Sequence, residues 1–156
     1  MTTVVVAPLA GTVLSLAQVP DPVFAAELVG SGVAIEPPAQ PGQVDVIAPV
    51  AGRILKLHPH AFVILRADGA GVLVHLGIDT VKLGGAGFTL HVEEGAAVDS
   101  GQAMVTFDPS QIRALGLSAA CPVVVMDTSP HAIGRAEGMV GAGEPLFDWE
   151  PASPRS

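Results

Sequence analysis

The sequence predicts an all-β fold: a compact antiparallel β-sandwich of the barrel-sandwich hybrid type, built on a duplicated hairpin, with one or two short helical turns. Three observations predict it. The 18 glycines and 14 prolines make up about a fifth of the 156 residues, against roughly an eighth in average usage. Such punctuation favours many short elements and disfavours a helical bundle or coiled coil. Apolar residues account for 49 % of the chain and charged ones for 14 %, which excludes a disordered chain. A domain of this length buries roughly two-thirds of its unfolded surface and needs no disulfide or metal to hold it. The third observation is a repeat: VVAPLAGTVLSL (residues 5–16) aligns without a gap on VIAPVAGRILKL (residues 46–57).

In each copy a strand leads into a turn opened by Pro8 or Pro49. Gly11 or Gly52 then starts a second strand. Proline presets φ, and glycine allows the positive φ that closes a turn. Two copies are too few for a solenoid; they predict two similar halves packed as one sandwich. Further strands are expected over residues 33–36, 61–66, 71–77, 88–92, 103–107, 122–126 and 145–148, all short, β-branched-rich and bounded by turn residues. Residues 109–115 read as a helix, with Asp108 as N-cap, Pro109 at the first position and Gly116 past the end. Residues 22–28 read as a second helical turn capped by Asp21. Residues 92–101 read as a hairpin-like loop. Residues 1–148 are expected to form one domain and residues 149–156, rich in proline and serine, a disordered tail.

Seven basic residues stand against fifteen acidic ones, a net charge of -8. Nothing here offsets phosphate repulsion, so nucleic acid is not an expected partner; a protein with a basic docking face is. No apolar run approaches the ~20 residues that cross a bilayer, and the N-terminus lacks the basic region of a signal peptide. The single cysteine, Cys121, fits a reducing cytoplasm and, in an apolar run, reads as a packed small hydrophobe.

The chemistry-bearing residues are five histidines: His58, His60, His75, His91 and His131. On a strand, Leu73, His75 and Gly77 share one face, and His60 opens the strand before it. Counting outward from a turn near Ala67–Asp68 places the two imidazoles roughly opposite each other, with Cβ atoms about 5 Å apart if directly paired. Such a pair can bind a metal, act as acid and base, or carry a phosphoryl group as nucleophile and stabiliser. A single histidine in an apolar strand is more often a hydrogen-bonded structural residue. His91 and His131 read as surface or structural; His58 stays open.

HAF (residues 60–62) followed by VLVHLGIDTV (residues 72–81) resembles the active-site signature of the glucose-family enzyme IIA component of the bacterial sugar phosphotransferase system. VVAPLAGTVLSLAQVPDPVFA, VGSGVAIEP, VIAPVAGRI, GFTLHVEEGAAVDSGQ and EPLF extend the resemblance to about nine-tenths of the chain. It implies a compact antiparallel β-sandwich in the cytoplasm. His75 matches the histidine that accepts a phosphoryl group from phospho-HPr and passes it to the IIB domain of a glucose or N-acetylglucosamine-type permease. That permease is the one membrane contact, and a peripheral one. His60 matches the second active-site histidine. Asp21 and Asp79 match flanking acidic positions, and Val23, Phe24 and Val81 match parts of the docking patch. No metal or other cofactor is required for transfer, although in this family the two histidines can join a partner's carboxylate in coordinating zinc. The family also controls partners according to phosphorylation state. One departure stands out: the family commonly has a Thr two residues before the second histidine, where this chain has His58 and then Pro59.

Two other readings compete. A biotinyl or lipoyl carrier shares the duplicated turn, but neither Lys56 nor Lys82 lies in a carrier-like motif. A zinc endopeptidase of the lysostaphin type uses HxH and HxxxD ligands, spelled here by His58–His60 and His75–Asp79, but in the reverse order.

Overall fold

The computed structural model describes residues 3–26, 29–126, 133–135 and 137–149. Fourteen short strands lie among them: β1 (Thr3–Val6), β2 (Gly11–Ser15), β3 (Gly30–Glu36), β4 (Val44–Ile47), β5 (Gly52–His58), β6 (Ala61–Leu65), β7 (Gly71–His75), β8 (Phe88–Leu90), β9 (Ala97–Val98), β10 (Ala103–Phe107), β11 (Cys121–Met126), β12 (Ile133–Arg135), β13 (Met139–Val140) and β14 (Pro145–Trp149). Two short helices, α1 (Pro22–Ala25) and α2 (Pro109–Ala114), complete the regular structure together with 3₁₀ turns at Leu16–Gln18 and Thr80–Leu83. The all-β sandwich with a few helical turns is therefore the fold found.

Eight strands form one sheet in the order β13-β2-β3-β11-β7-β6-β5-β9, and two three-stranded sheets run β1-β14-β12 and β4-β10-β8. The order is the same from either end if β13 is exchanged with β9, β2 with β5, β3 with β6 and β11 with β7. The small sheets exchange as well. The two proline turns are joined reciprocally: Val6 N–H donates to the Pro49 carbonyl (3.1 Å) and Ile47 N–H to the Pro8 carbonyl (2.9 Å).

The duplicated unit is a corner rather than a hairpin. β1 pairs with β14, while β2 pairs with β3 and β13; β4 pairs with β10, while β5 pairs with β6 and β9. The reason is burial. Ala7, Pro8 and Leu9 are all buried, and the turn's backbone groups bond to the other copy, so the chain crosses between sheets instead of folding back on itself. The expected loop at residues 92–101 holds β9, and the last strand runs to Trp149, the first residue of the expected tail; residues 150–156 lie outside the described part.

Inner faces follow the period of two. Val33 and Ile35, Phe62 and Ile64, Val72 and Val74, and Val123 and Val125 belong to the main core. A smaller cluster lies on the outer face of the large sheet, where Leu16, Val19 and Phe24 cover Ala34 and Val124. Cys121 is fully buried and its thiol is pushed up to about 12 by desolvation, the behaviour of a packed hydrophobe. Asp108 caps α2 by accepting from Ser110 N–H at 2.9 Å, and Arg113 from α2 clamps Glu36 and the carbonyls of Pro37 and Pro38.

Candidate functional site

β7 carries His75 on the outer face of the large sheet, beside the small cluster. Its register partner is Ala61, not His60. The β6–β7 loop is centred on Asp68, half a residue later than the sequence count assumed. His60 nevertheless reaches His75, because it precedes β6 in a tight turn with Pro59 and escapes strand alternation. The two rings meet edge to face, with centroids 5.1 Å apart and planes at 72°.

His75 Nδ1 lies 2.5 Å from the Gly77 carbonyl. A carbonyl only accepts, so Nδ1 carries the proton and donates it, leaving Nε2 with a free lone pair. Gly77 supplies this carbonyl at φ +81°, in the left-handed region that glycine adopts without strain. That turn also ends β7 at His75, two residues short of the strand the sequence predicts. On the other side, Phe24 packs edge-on against the His75 ring, with centroids 5.5 Å apart.

Burial holds both imidazoles below the ordinary histidine range. For His75, desolvation dominates; the Gly77 hydrogen bond and the charges of Asp21 and Asp79 oppose it without reversing it. For His60, desolvation acts first and the neighbouring His75 and His58 add to it. Both rings are thus biased toward the neutral form at neutral pH.

Asp21 does two things. Its carboxylate accepts from Val23 N–H (2.9 Å) and Phe24 N–H (3.4 Å), capping α1, and its charge is felt at His75. Asp79 is exposed and adopts a left-handed conformation at φ +62°. Val23 and Val81 are large apolar side chains left 45 % and 62 % exposed. Phe24, by contrast, is only 7 % exposed; it is the floor of the patch, held down by Leu16 and Val19, rather than part of its open surface.

Of the other histidines, His58 stacks on His60, centroids 5.7 Å apart at 27°. His91 bonds to Thr106, which donates to Asp45, a surface network away from the pair. His131 lies outside the described residues. Among the described residues, no group of three or more His, Cys, Asp or Glu side chains is placed to hold a metal ion. The pair offers two of the four ligands zinc takes, so such an ion would need donors from a partner.

Residues 3–130 match the family described as phosphoenolpyruvate-dependent sugar phosphotransferase system, EIIA 1. The chain belongs to that EIIA family. The glucose-specific EIIA components of Bacillus cereus and Bacillus anthracis are each 42 % identical to it over 126 residues, spanning 80 % of this chain and 74 % of theirs. The glucose permease IIA from Mycoplasma capricolum matches with a TM-score of 0.86 and 31 % identity, over 95 % of this chain and 96 % of that one. As an EIIA component, the chain is a phosphoryl carrier of a sugar phosphotransferase system, and neither the biotinyl or lipoyl carrier nor the zinc endopeptidase is favoured.

Sequence reasoning brought together His60, His75, Asp21, Asp79 and Phe24. It did not identify the Gly77 carbonyl or the buried Thr80 behind it. The glycine two residues past the histidine hints at a turn there, but not at which carbonyl faces the ring.

Proposed function

We propose that this EIIA component carries its phosphoryl group on His75 Nε2, accepting it from phospho-HPr and passing it to the IIB domain of a glucose or N-acetylglucosamine-type permease. The observation that carries this reading is the paired imidazoles: His75 with Nδ1 committed to the Gly77 carbonyl and Nε2 free, and His60 edge-on beside it.

The step needs an in-line nucleophile, charge stabilisation and exclusion of water. The Nε2 lone pair attacks phosphorus as the donor histidine's P–N bond breaks, and the donor ring leaves with that electron pair. The His75 ring gains positive charge, which the Gly77 carbonyl stabilises through the Nδ1 proton. His60 donates an N–H to the phosphoryl oxygens. Val23 and Val81, over the Phe24 floor, form the apolar rim that a partner covers, and water leaves as it docks. Asp21 and Asp79 repel a bound phosphoryl group, which keeps it transferable, and they attract basic side chains on the donor. No described helix is long and apolar enough to cross a membrane, in keeping with a cytoplasmic carrier that touches the permease peripherally. A patch whose charge changes on phosphorylation also suits a role in controlling partners.

The test is incubation with phosphoenolpyruvate, enzyme I and HPr, followed by mapping of the acid-labile phosphoryl group. It is expected on His75 and lost in His75→Ala. Robust labelling of His75→Ala would overturn the assignment.

A further inference from the structure

We propose that Thr80 is a positioning residue for His75, fixing its tautomer by holding the backbone that presents the Gly77 carbonyl. This rests on the reading of His75 as phosphoryl acceptor.

The acceptor that orients His75 is a backbone carbonyl, so its aim depends on the peptide units around Gly77. The unit joining Gly77 to Ile78 is held at both ends: Ile78 N–H donates to the Ser118 carbonyl at 2.9 Å, and the Gly77 carbonyl accepts from His75. The unit before it, joining Leu76 to Gly77, is anchored by a side chain: Thr80 Oγ1 donates to the Leu76 carbonyl at 2.8 Å. Between the two units stands Gly77, with no Cβ and the widest backbone freedom of any residue. The Gly77 N–H end of the Leu76–Gly77 unit meets the Cys121 thiol, so removing the Thr80 hydroxyl loosens one side of the hinge at its carbonyl end.

The Thr80 methyl closes the same space. A Cβ on Gly77 would lie 2.7 Å from Thr80 Cγ2, 3.0 Å from the Ser118 carbonyl and 3.3 Å from Ile112 Cδ1. Gly77 thus sits in a cage of Thr80, Ser118 and α2. Thr80 is only 1 % exposed, and a buried hydroxyl is costly unless it is hydrogen-bonded. Valine would fill the volume without that cost, and threonine's added capability is the bond to Leu76. The chain also takes an uncommon conformation to bring Thr80 back over residue 76. Asp79, immediately before it, is the one non-glycine residue with positive φ among those described, and such strain persists only where the surroundings over-determine it.

Three variants test the proposal: Thr80→Val keeps the shape and loses the hydroxyl, Thr80→Ser keeps the hydroxyl and loses the methyl, and Thr80→Ala loses both. Two readouts are needed, with urea unfolding to show that each variant folds. One is the pair of ¹⁵N ring shifts of His75 at pH 8 in the unphosphorylated protein, which report the tautomer. The other is the rate of phosphorylation by phosphoenolpyruvate, enzyme I and HPr, with His75→Ala as the blank. In Thr80→Val the ring should pass from one tautomer to a mixture and the rate should fall about tenfold; Thr80→Ser should restore both. A folded Thr80→Val with wild-type shifts and rate would overturn the proposal, as would a Thr80→Ser as impaired as Thr80→Val. Should Thr80→Val not fold, Thr80→Ala takes its place under the same criteria. Should neither fold, a Thr80→Ser rate more than threefold below wild type overturns the proposal. If the wild-type protein takes up no phosphoryl group, the carrier reading fails, while the ring shifts still decide the role of Thr80.

Discussion

The two halves of the molecule share one topology and put the same positions to different uses. Matching β2–β3 to β5–β6, and β11 to β7, by their registers places Ser31 where His60 stands and Val124 where His75 stands. Both second members lie on the outer face of the large sheet. Val124 is fully buried there under Leu16, Val19 and Phe24, whereas His75 reaches the open edge of the patch. The cause is the connection. Residues 16–26, in the connection from β2 to β3, fold over the outer face and carry Leu16, Val19 and Phe24 of the small cluster. β5 and β6 are linked by Pro59 and His60 alone, too short to cover anything. The same strand pairing therefore makes a core in one half and a site in the other, and Phe24, from the long connection, reaches across to floor the site.

The largest expected effect breaks this comparison directly. His75→Ala should abolish phosphorylation of the folded protein, with a cost in urea stability from the Gly77 carbonyl it leaves unpaired. Val124→Ala, at the matching position, should cost about 2 kcal/mol of stability through its cavity and leave phosphorylation of the folded protein intact. A Val124→Ala protein that folds as well as wild type would mean that the small outer cluster contributes little. Next comes His60→Ala. His75 should still be phosphorylated, but onward transfer to the permease domain should fall by about 100-fold, the scale of losing one stabilising donor; unchanged transfer would remove His60 from the mechanism.

The sequence showed one half of this symmetry and hid the other. The first repeat is legible because seven of its twelve positions are identical between residues 5–16 and 46–57. The corresponding pair, β9–β10 and β13–β14, is not. Val98 and Val140 pair with Gly52 and Gly11 in matching fashion, but Met104 faces Leu146 and Val105 faces Phe147 in the alignment, which keeps hydrophobicity without identity. A turn motif also cannot tell a hairpin from a corner, because that depends on which distant backbone satisfies it. The histidine pair was legible from strand alternation and loop length, although the register count was off by one. The Gly77 carbonyl and Thr80 were not, since both act through backbone geometry that local composition does not specify.

A smaller effect separates the halves by pH. The pKa values of His60 and His75 are lowered by burial, while an unfolded histidine titrates near 6.5. The folded protein therefore binds fewer protons than the unfolded chain below that pH. The stability these sites hold is present above about 6.5 and is lost as pH falls through their folded values. Urea unfolding between pH 8 and 5 should show this slope, and the His75→Ala, His60→Ala double variant should flatten it; Val124→Ala should shift the whole curve without changing its slope. The acid limb of phosphorylation should also lie below 6.5. Asp21→Asn, which keeps a capping side chain for α1 but removes a charge that raises the His75 pKa, should move that limb lower. An acid limb above 6.5 in the wild type would contradict the burial argument.

The smallest expected effect concerns His58, which stands where the family commonly has threonine. Its ring stacks on His60 and helps disfavour a charge there; it is exposed, and its effect on transfer is expected through His60. His58→Ala should raise the His60 pKa, read from its ring proton shifts across pH, and change onward transfer by no more than about threefold, the scale of a weak exposed interaction. His58→Phe, which retains an aromatic ring without a titrating group, separates the two contributions: if charge is the cause, its His60 pKa should rise as in His58→Ala, and if stacking is the cause it should stay near wild type. Leu76 N–H donates to the His60 carbonyl at 2.7 Å, which ties down the His60 backbone but does not by itself orient its ring. If neither variant moves the His60 pKa or the transfer rate, Pro59 and the turn backbone are sufficient to hold His60 in place.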